Sequence, residues 1–274
     1  MPSTPRSPDA PLSVPELVAR KRSGPPIVAL TAYDAPSASA AEAGGVDVLL
    51  VGDSLGNVLL GEKNTLRVTL DQMIHHARAV GRVRRRALLV FDMPWMTYHL
   101  GPEDALRNAA RAIRETGADA VKLEGGRKRL PVVRALLDAE IPVMGHVGLT
   151  PQSVLPMGGY RVQGRGEQAA EAVLADALAL AEAGVFAIVL EGVPGPLAAR
   201  ITEAVEVPTI GIGAGSSCDG QVLVFHDLLG MHEAPQPRFV RRYAEIFQVQ
   251  VEAIRRFVAD VRSGDFPSEE ETYR

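Results

Sequence analysis

The chain has 274 residues, 46% of them hydrophobic, and 29 lysines and arginines against 33 aspartates and glutamates leave a formal charge of -4. Such a chain buries a large core but offers no basic footprint for nucleic acid or an anionic membrane. Its one cysteine, Cys218, excludes an internal disulfide framework and a thiolate zinc cluster, and fits a reducing, cytoplasmic compartment.

Residues 1–12 are rich in proline and serine, lack an apolar h-region and read as a disordered arm. No uncharged apolar run elsewhere is long enough to span a bilayer. Ser13 and Glu16 have the spacing of a capping box for a short first helix. Strand and helix patterns then alternate. Strands are predicted at 27–30, 46–51, 87–91, 120–123, 143–145, 186–190, 209–212 and 222–225, with alanine-rich helices between most of them, as at 36–43, 70–80, 102–116 and 167–183. Helices that close on glycine recur just before strands, at Gly44-Gly45, Gly117 and Gly184.

Continuous apolar runs joined by helices imply a parallel sheet covered on both faces. Eight strands without a domain break favour an α/β fold of one (βα)8 TIM barrel over residues 13–274, with extra N-terminal and C-terminal helices. The last of these is an apolar stripe over 238–261, which predicts packing on the barrel or on a neighbouring subunit.

Nearly every predicted strand ends in a charged residue: Asp53, Asp92, Lys122 with Glu124, His146, Glu191, and His226 with Asp227. In a parallel barrel such residues converge at one mouth. Strand alternation puts Lys122 and Glu124 on the same face, either as a closing salt bridge or as a functional pair. Asp53 and Asp92 taken singly are better explained as turn or helix caps. Together with Glu124 and Glu191 they would repel one another unless a cation or protons compensated, and magnesium suits an all-oxygen cluster. Glu191 follows an apolar strand and precedes the stiff Gly192-Val193-Pro194, which is the setting of a general base or of a plain surface glutamate. His146 reads as a pocket residue or a core histidine. The adjacent His75 and His76 point apart on a helix and read as surface or packing residues. The glycines of 211–215 either receive phosphate or let the backbone pass tightly. Residues 158–166, GGYRVQGRG, have the composition of a mobile lid.

The segments LTAYDAPSA (30–38), VGDSLGN (51–57), FDMPWM (91–96), VKLEGG (121–126), GHVGLTPQSV (145–154), GGYRVQGRG (158–166), LEGVP (190–194) and GIGAGSSCDGQVLVFHDLLG (211–230) follow one another along nearly the whole chain. In that order the chain resembles the ketopantoate hydroxymethyltransferase family. The resemblance implies transfer of a one-carbon unit from 5,10-methylenetetrahydrofolate to 3-methyl-2-oxobutanoate through a magnesium-stabilised enolate. The product would be 2-dehydropantoate, for pantothenate and coenzyme A biosynthesis. By motif, Asp53 and Asp92 would bind one Mg2+ per subunit, with Glu124 joining directly or through water. Ser54 and Lys122 would hold the keto acid beside Asp53, Asp92 and His146, and Glu191 would be the catalytic proton acceptor. The partners implied are small molecules and other copies of the chain, as a cytoplasmic homodecamer. A second acidic-mouthed barrel type remains open on the residues alone: an isocitrate-lyase or phosphoenolpyruvate-mutase relative acting without folate. A catalytically silent barrel kept as a scaffold is the third reading, against which the intact acid set argues.

Overall fold

The structure, a computed structural model, describes residues 10–233 and 236–273. Residues 1–9 of the expected arm lie outside it. At the arm's end the Leu12 amide donates to the Arg86 carbonyl. The chain forms two compact units, 1–224 and 225–274.

In the first unit, eight parallel strands close a barrel in sequence order. They are β1 (Ile27–Thr31), β2 (Val48–Val51), β3 (Leu88–Asp92), β4 (Ala120–Glu124), β5 (Val143–Gly148), β6 (Ala187–Glu191), β7 (Thr209–Ile212) and β8 (Gly220–Leu223). The helices of this unit are α1 (Val14–Ser23), α2 (Ala35–Ala43), α3 (Leu55–Val58), α4 (Leu70–Val83), α5 (Pro102–Thr116), α6 (Leu130–Asp138), α7 (Val154–Met157), α8 (Glu167–Ala183) and α9 (Gly195–Ala204). Local chemistry sets their ends. Glu16 accepts from the Ser13 amide before α1, as the capping spacing predicts, and Asp34 accepts from the Ser37 amide at the start of α2. Gly117 and Gly184 end α5 and α8 in the left-handed conformation, where a side chain would be strained.

Alternation along the strands sorts the barrel interior into layers. Ile27, Ala29, Val48, Leu50, Leu88, Val90, Ala120, Met144, Ala187, Val189, Ile210 and Val222 form the buried apolar cluster, joined by Leu17 of α1. Each large member contributes roughly 1.5 to 3 kcal/mol through burial. The next inward positions toward the carboxyl ends are Asp92 after Val90, Lys122 and Glu124 after Ala120, His146 after Met144, and Glu191 after Val189. Register completes the layer, since Asp92 stands opposite Lys122 and Glu124 opposite His146. A charged storey thus sits on an apolar one.

β8 starts two residues before the predicted 222–225 and ends at Leu223, because Gly220 pairs with Ile27 across the seam that closes the barrel. A Cβ at 220 would overlap the Ile27 carbonyl oxygen, so the closing strand opens on a residue of low strand propensity. His226 and Asp227 therefore do not end a barrel strand. They belong to α10 (Phe225–Leu228), the first helix of the second unit.

The second unit also holds α11 (Ile246–Ser263). The predicted stripe from 238 is helical only from Ile246; before it, Val240 turns back onto Pro237 and the Tyr243 amide bonds to the Leu228 carbonyl. No residue of α11 is buried, and Val249, Ile254, Phe257 and Val261 are about half exposed or more.

Candidate active site

Asp53, Ser54, Asp92, Lys122, Glu124, His146 and Glu191 line one cavity of about 100 Å3 at the carboxyl ends of the strands, over Leu50, Val189 and Val222. Every candidate named from the sequence as catalytic, substrate-binding or metal-binding meets there. Asp53, Asp92, Lys122, Glu124 and His146 are each less than 5% exposed. Asp53 escapes the strict alternation: after the inward Val48 and Leu50 the chain turns at Gly52, and the Asp53 amide points toward Asp92 Oδ2 at 3.4 Å.

Lys122 Nζ donates to both oxygens of Asp92, at 2.7 and 2.8 Å, and lies 4.0 Å from Glu124 Oε1. Burial disfavours this ammonium, but Asp92, Glu124 and Asp53 outweigh it and hold its pKa above the ordinary value. Three carboxylates thus share one ammonium. Burial, then repulsion from Asp92, pushes the Asp53 carboxyl up to about 7 against the pull of Lys122 and Gln152. Burial likewise raises Glu124 well above the usual carboxylate range, with Lys122 opposing.

His146 stands between two acids. Its Nε2 is 3.3 Å from Glu191 Oε2 and its Nδ1 is 3.7 Å from Glu124 Oε1, yet neither contact has hydrogen-bond alignment. Burial and the nearby Lys122 lower its pKa, which keeps the imidazole neutral. Glu191, with a side chain 17% exposed, is the most accessible acid of the group. Gly148, opposite it in register, has φ +94°, and a Cβ there would overlap the Glu191 carbonyl oxygen.

Several residues outside the predicted set build this site. Tyr33, fully buried, holds Ser54 through a 2.8 Å hydroxyl contact. Gln152 reaches back from the turn after β5: its amide donates to Asp53 Oδ2, and its backbone N–H donates to Glu124 Oε2, both at 2.9 Å. Tyr98 donates to Gln152 Oε1 at 2.6 Å. Tyr33 and Gln152 lay within quoted motifs, but no local pattern marks their contacts. Tyr160 of the GGYRVQGRG segment has its phenol pKa raised by burial and by Asp53, Glu191 and Glu124. Gln163 and Gly164 of the same segment, with Lys128, Arg129, Thr150 and Met157, line a wider cleft of about 740 Å3 that shares Glu124 with the cavity.

Among the other candidates, His76 accepts a packing role, its Nδ1 lying 2.7 Å from the Tyr33 carbonyl oxygen, and His75 is exposed. At Gly211 a Cβ would come within 2.9 Å of Cys218 Sγ, so tight passage accounts for that glycine.

The charge balance suits a hard cation: two acids exceed the single ammonium, and Glu124 Oε1 is buried without a hydrogen-bond partner. Among the described residues no three His, Cys, Asp or Glu side chains stand together as a ready cage. Magnesium asks for no such cage, since it binds through one or two carboxylates and keeps waters or substrate oxygens.

A closed parallel barrel with buried acids, a paired lysine and an accessible glutamate at its carboxyl face is an enzyme's architecture. Structures of the same fold include a phosphonopyruvate hydrolase, with a TM-score of 0.61 and 15% identity over 95% of this chain and 93% of that one. Another is the phosphoenolpyruvate phosphomutase from Streptomyces platensis, at 0.60 and 14% over 92% and 88%. Sequence is more specific. Residues 11–269 match the profile of the family described as ketopantoate hydroxymethyltransferase. The 3-methyl-2-oxobutanoate hydroxymethyltransferase of Trichlorobacter lovleyi is 55% identical over 262 residues, 96% of this chain and 98% of that protein. The Moorella thermoacetica enzyme of the same name is 54% identical over 263 residues, 96% and 98% of the two chains. The chain belongs to the ketopantoate hydroxymethyltransferase family and is a hydroxymethyltransferase of that type.

Proposed function

We propose that this enzyme transfers a one-carbon unit from 5,10-methylenetetrahydrofolate to 3-methyl-2-oxobutanoate, forming 2-dehydropantoate for pantothenate biosynthesis, with magnesium held by Asp53 and Asp92 and joined by Glu124 directly or through water. The observation that carries the reading is one small cavity in which surplus carboxylate charge, a buried lysine and the accessible Glu191 meet. A magnesium ion bound there supplies Lewis-acid polarisation of the keto acid's oxygens.

The chain's own residues do the rest. Lys122 neutralises negative charge on the same oxygens as it develops, at no cost of reorganisation because Asp92 already orients it. Ser54, steadied by Tyr33, offers a hydroxyl to the substrate carboxylate. Glu191 takes the proton from C3; the C–H electron pair becomes the enolate, whose C3 attacks the methylene carbon of the donor as a C–N bond of the folate breaks. Water then displaces the second folate nitrogen from that carbon, its oxygen becoming the product hydroxyl, while its proton and the one held by Glu191 go to the two released nitrogens. His146, neutral beside Glu191, keeps a second positive charge away from the acid that must accept the proton. The 158–166 segment, with Tyr160 within reach of the charges of Asp53, Glu191 and Glu124 and the Gln163 amide donating to the Gly192 carbonyl, serves as the lid that excludes competing water.

No helix among the described residues is long and apolar enough to cross a membrane, and a cytoplasmic enzyme fits the lone cysteine. The exposed apolar positions of α11 support a homo-oligomer, with a homodecamer as the size that the resemblance implies.

Proton NMR of 3-methyl-2-oxobutanoate in deuterium oxide tests the reading. The C3 signal should disappear with enzyme and magnesium, and ketopantoate should form when methylenetetrahydrofolate is added. A signal that persists with active, metal-loaded protein overturns the assignment of substrate.

A further inference from the structure

Four segments of the barrel mouth meet at one residue, through its side chain and its backbone N–H. Gln152 is 4% exposed and sits in the short turn Pro151–Ser153 after β5. Its Nε2 donates to Asp53 Oδ2, beyond β2, and to the Met93 carbonyl, beyond β3, both at 2.9 Å. Its backbone N–H donates to Glu124 Oε2 at the end of β4. Its Oε1 accepts the Tyr98 hydroxyl proton at 2.6 Å, and the same phenolic oxygen accepts the Glu124 amide at 3.2 Å.

This wiring determines which way round the amide lies. Nε2 faces two acceptors that have nothing to donate, a carboxylate and a carbonyl, while Oε1 faces a hydroxyl whose proton is directed at it. A flipped amide would put oxygen against oxygen on one side. Tyr98, 1% exposed, thus locks the Gln152 side chain, whose Nε2 holds Asp53 while the backbone N–H of the same residue holds Glu124, two acids from different strands that repel one another. Lys122 attracts both acids but aims its hydrogen bonds at the two oxygens of Asp92, so the directed N–H contacts to Asp53 and Glu124 come from Gln152.

We infer that Gln152, oriented by Tyr98, is the positioning residue that holds Asp53 and Glu124 at the separation a divalent cation needs. It does not line the small cavity in which the acids and Lys122 meet. Its part is to cancel enough of the mutual repulsion, and to fix enough of the side-chain rotation, that the two carboxylates keep their places whether or not a cation is present. The inference rests on the magnesium reading only for the identity of what is held. Partners behind metal ligands typically control affinity by about 10- to 100-fold.

The test uses the full chain with two substitutions. Gln152→Met keeps length and apolar bulk, removes both Nε2 hydrogen bonds and leaves the backbone donor to Glu124 intact. Tyr98→Phe breaks the same chain from its other end. Calorimetric titration with Mg2+ should show Gln152→Met binding about 10- to 100-fold more weakly than wild type. Tyr98→Phe should shift in the same direction by less, with both variants melting as cooperative folded proteins. Cation-free crystal structures of wild type and Gln152→Met should show the Asp53 carboxylate displaced in the variant. Mg2+ affinity within twofold of wild type in Gln152→Met, or an Asp53 carboxylate that stays put, overturns the inference. If Gln152→Met does not fold, an unchanged affinity in Tyr98→Phe overturns it. Should wild type bind no divalent cation, the magnesium reading fails by itself, and the position of Asp53 in the two crystal structures still decides the positioning role.

Discussion

Replacing Lys122 by methionine removes the only ammonium from a cavity that holds three buried carboxylates. Lys122 Nζ sits 2.7 and 2.8 Å from the two Asp92 oxygens, with both side chains no more than 4% exposed. At 2.8 Å and an effective dielectric near 20, one such charge pair is worth about 6 kcal/mol gross. Desolvation of both ions offsets part of it, so breaking the pair from one side should cost about 3 to 5 kcal/mol of stability. The loss must depend on pH. Asp53, raised to about 7 in the folded protein, keeps there a proton that the unfolded chain releases near pH 4, so folding stability falls as pH climbs from about 4 to about 7. Without Lys122 the pull that opposes this rise is gone, and the window extends to higher pH. Urea denaturation of wild type and Lys122→Met at pH 5 and pH 8 reads both effects. The deficit should be several kcal/mol at pH 8 and smaller at pH 5, where Asp53 keeps its proton. A variant within about 1 kcal/mol of wild type at pH 8 would show that the acids are not crowded as described, since even an ordinary hydrogen bond contributes that much.

Glu191→Gln should lower the rate of C3 proton exchange by about 100- to 10,000-fold, the usual contribution of a general base, while calorimetry finds Mg2+ affinity within a few-fold of wild type. Mg2+ affinity of the wild-type enzyme should weaken as pH falls below about 7, where Asp53 takes up a proton that the cation must displace. Titrations in buffers of different ionisation enthalpy should show proton release on binding, and a flat affinity from pH 8 to pH 6 would contradict it. Gly148→Ala should cost more than about 1 kcal/mol in thermal unfolding, because φ +94° and the Glu191 carbonyl leave no room for a methyl. It should also reduce exchange activity, since the displaced strand end carries Glu191, the proposed base.

The barrel and its acid mouth were legible because fully buried parallel strands leave unbroken apolar runs, such as Leu88–Phe91, that stop at a charge. Their position past those runs sent Asp92, Lys122, Glu124, His146 and Glu191 to one mouth, and alternation put Lys122 and Glu124 on one face, with no knowledge of their neighbours. The last strand was harder: Gly220 starts it for reasons of space at the seam, and glycine carries no strand signal. His226 and Asp227 were misplaced in consequence. Gln152 and Tyr98 escaped notice for another reason. Their hydrogen bonds join residues 99, 28 and 54 positions apart, and nothing in the turn TPQS announces that its glutamine points back into the barrel.

The charged storey is not spread evenly around the barrel. Asp53, Asp92, Lys122 and Glu124 come from the three neighbouring strands β2, β3 and β4, whereas Glu191 arrives two strands further on, with the uncharged imidazole of His146 between. On the proposed mechanism, gripping a substrate and deprotonating it fall to separate arcs of one ring. None of the hydrogen bonds that tie Asp53, Asp92 and Lys122 together involves Glu191, so a substitution at that acid should change proton abstraction while the anchorage on the other arc keeps its contacts.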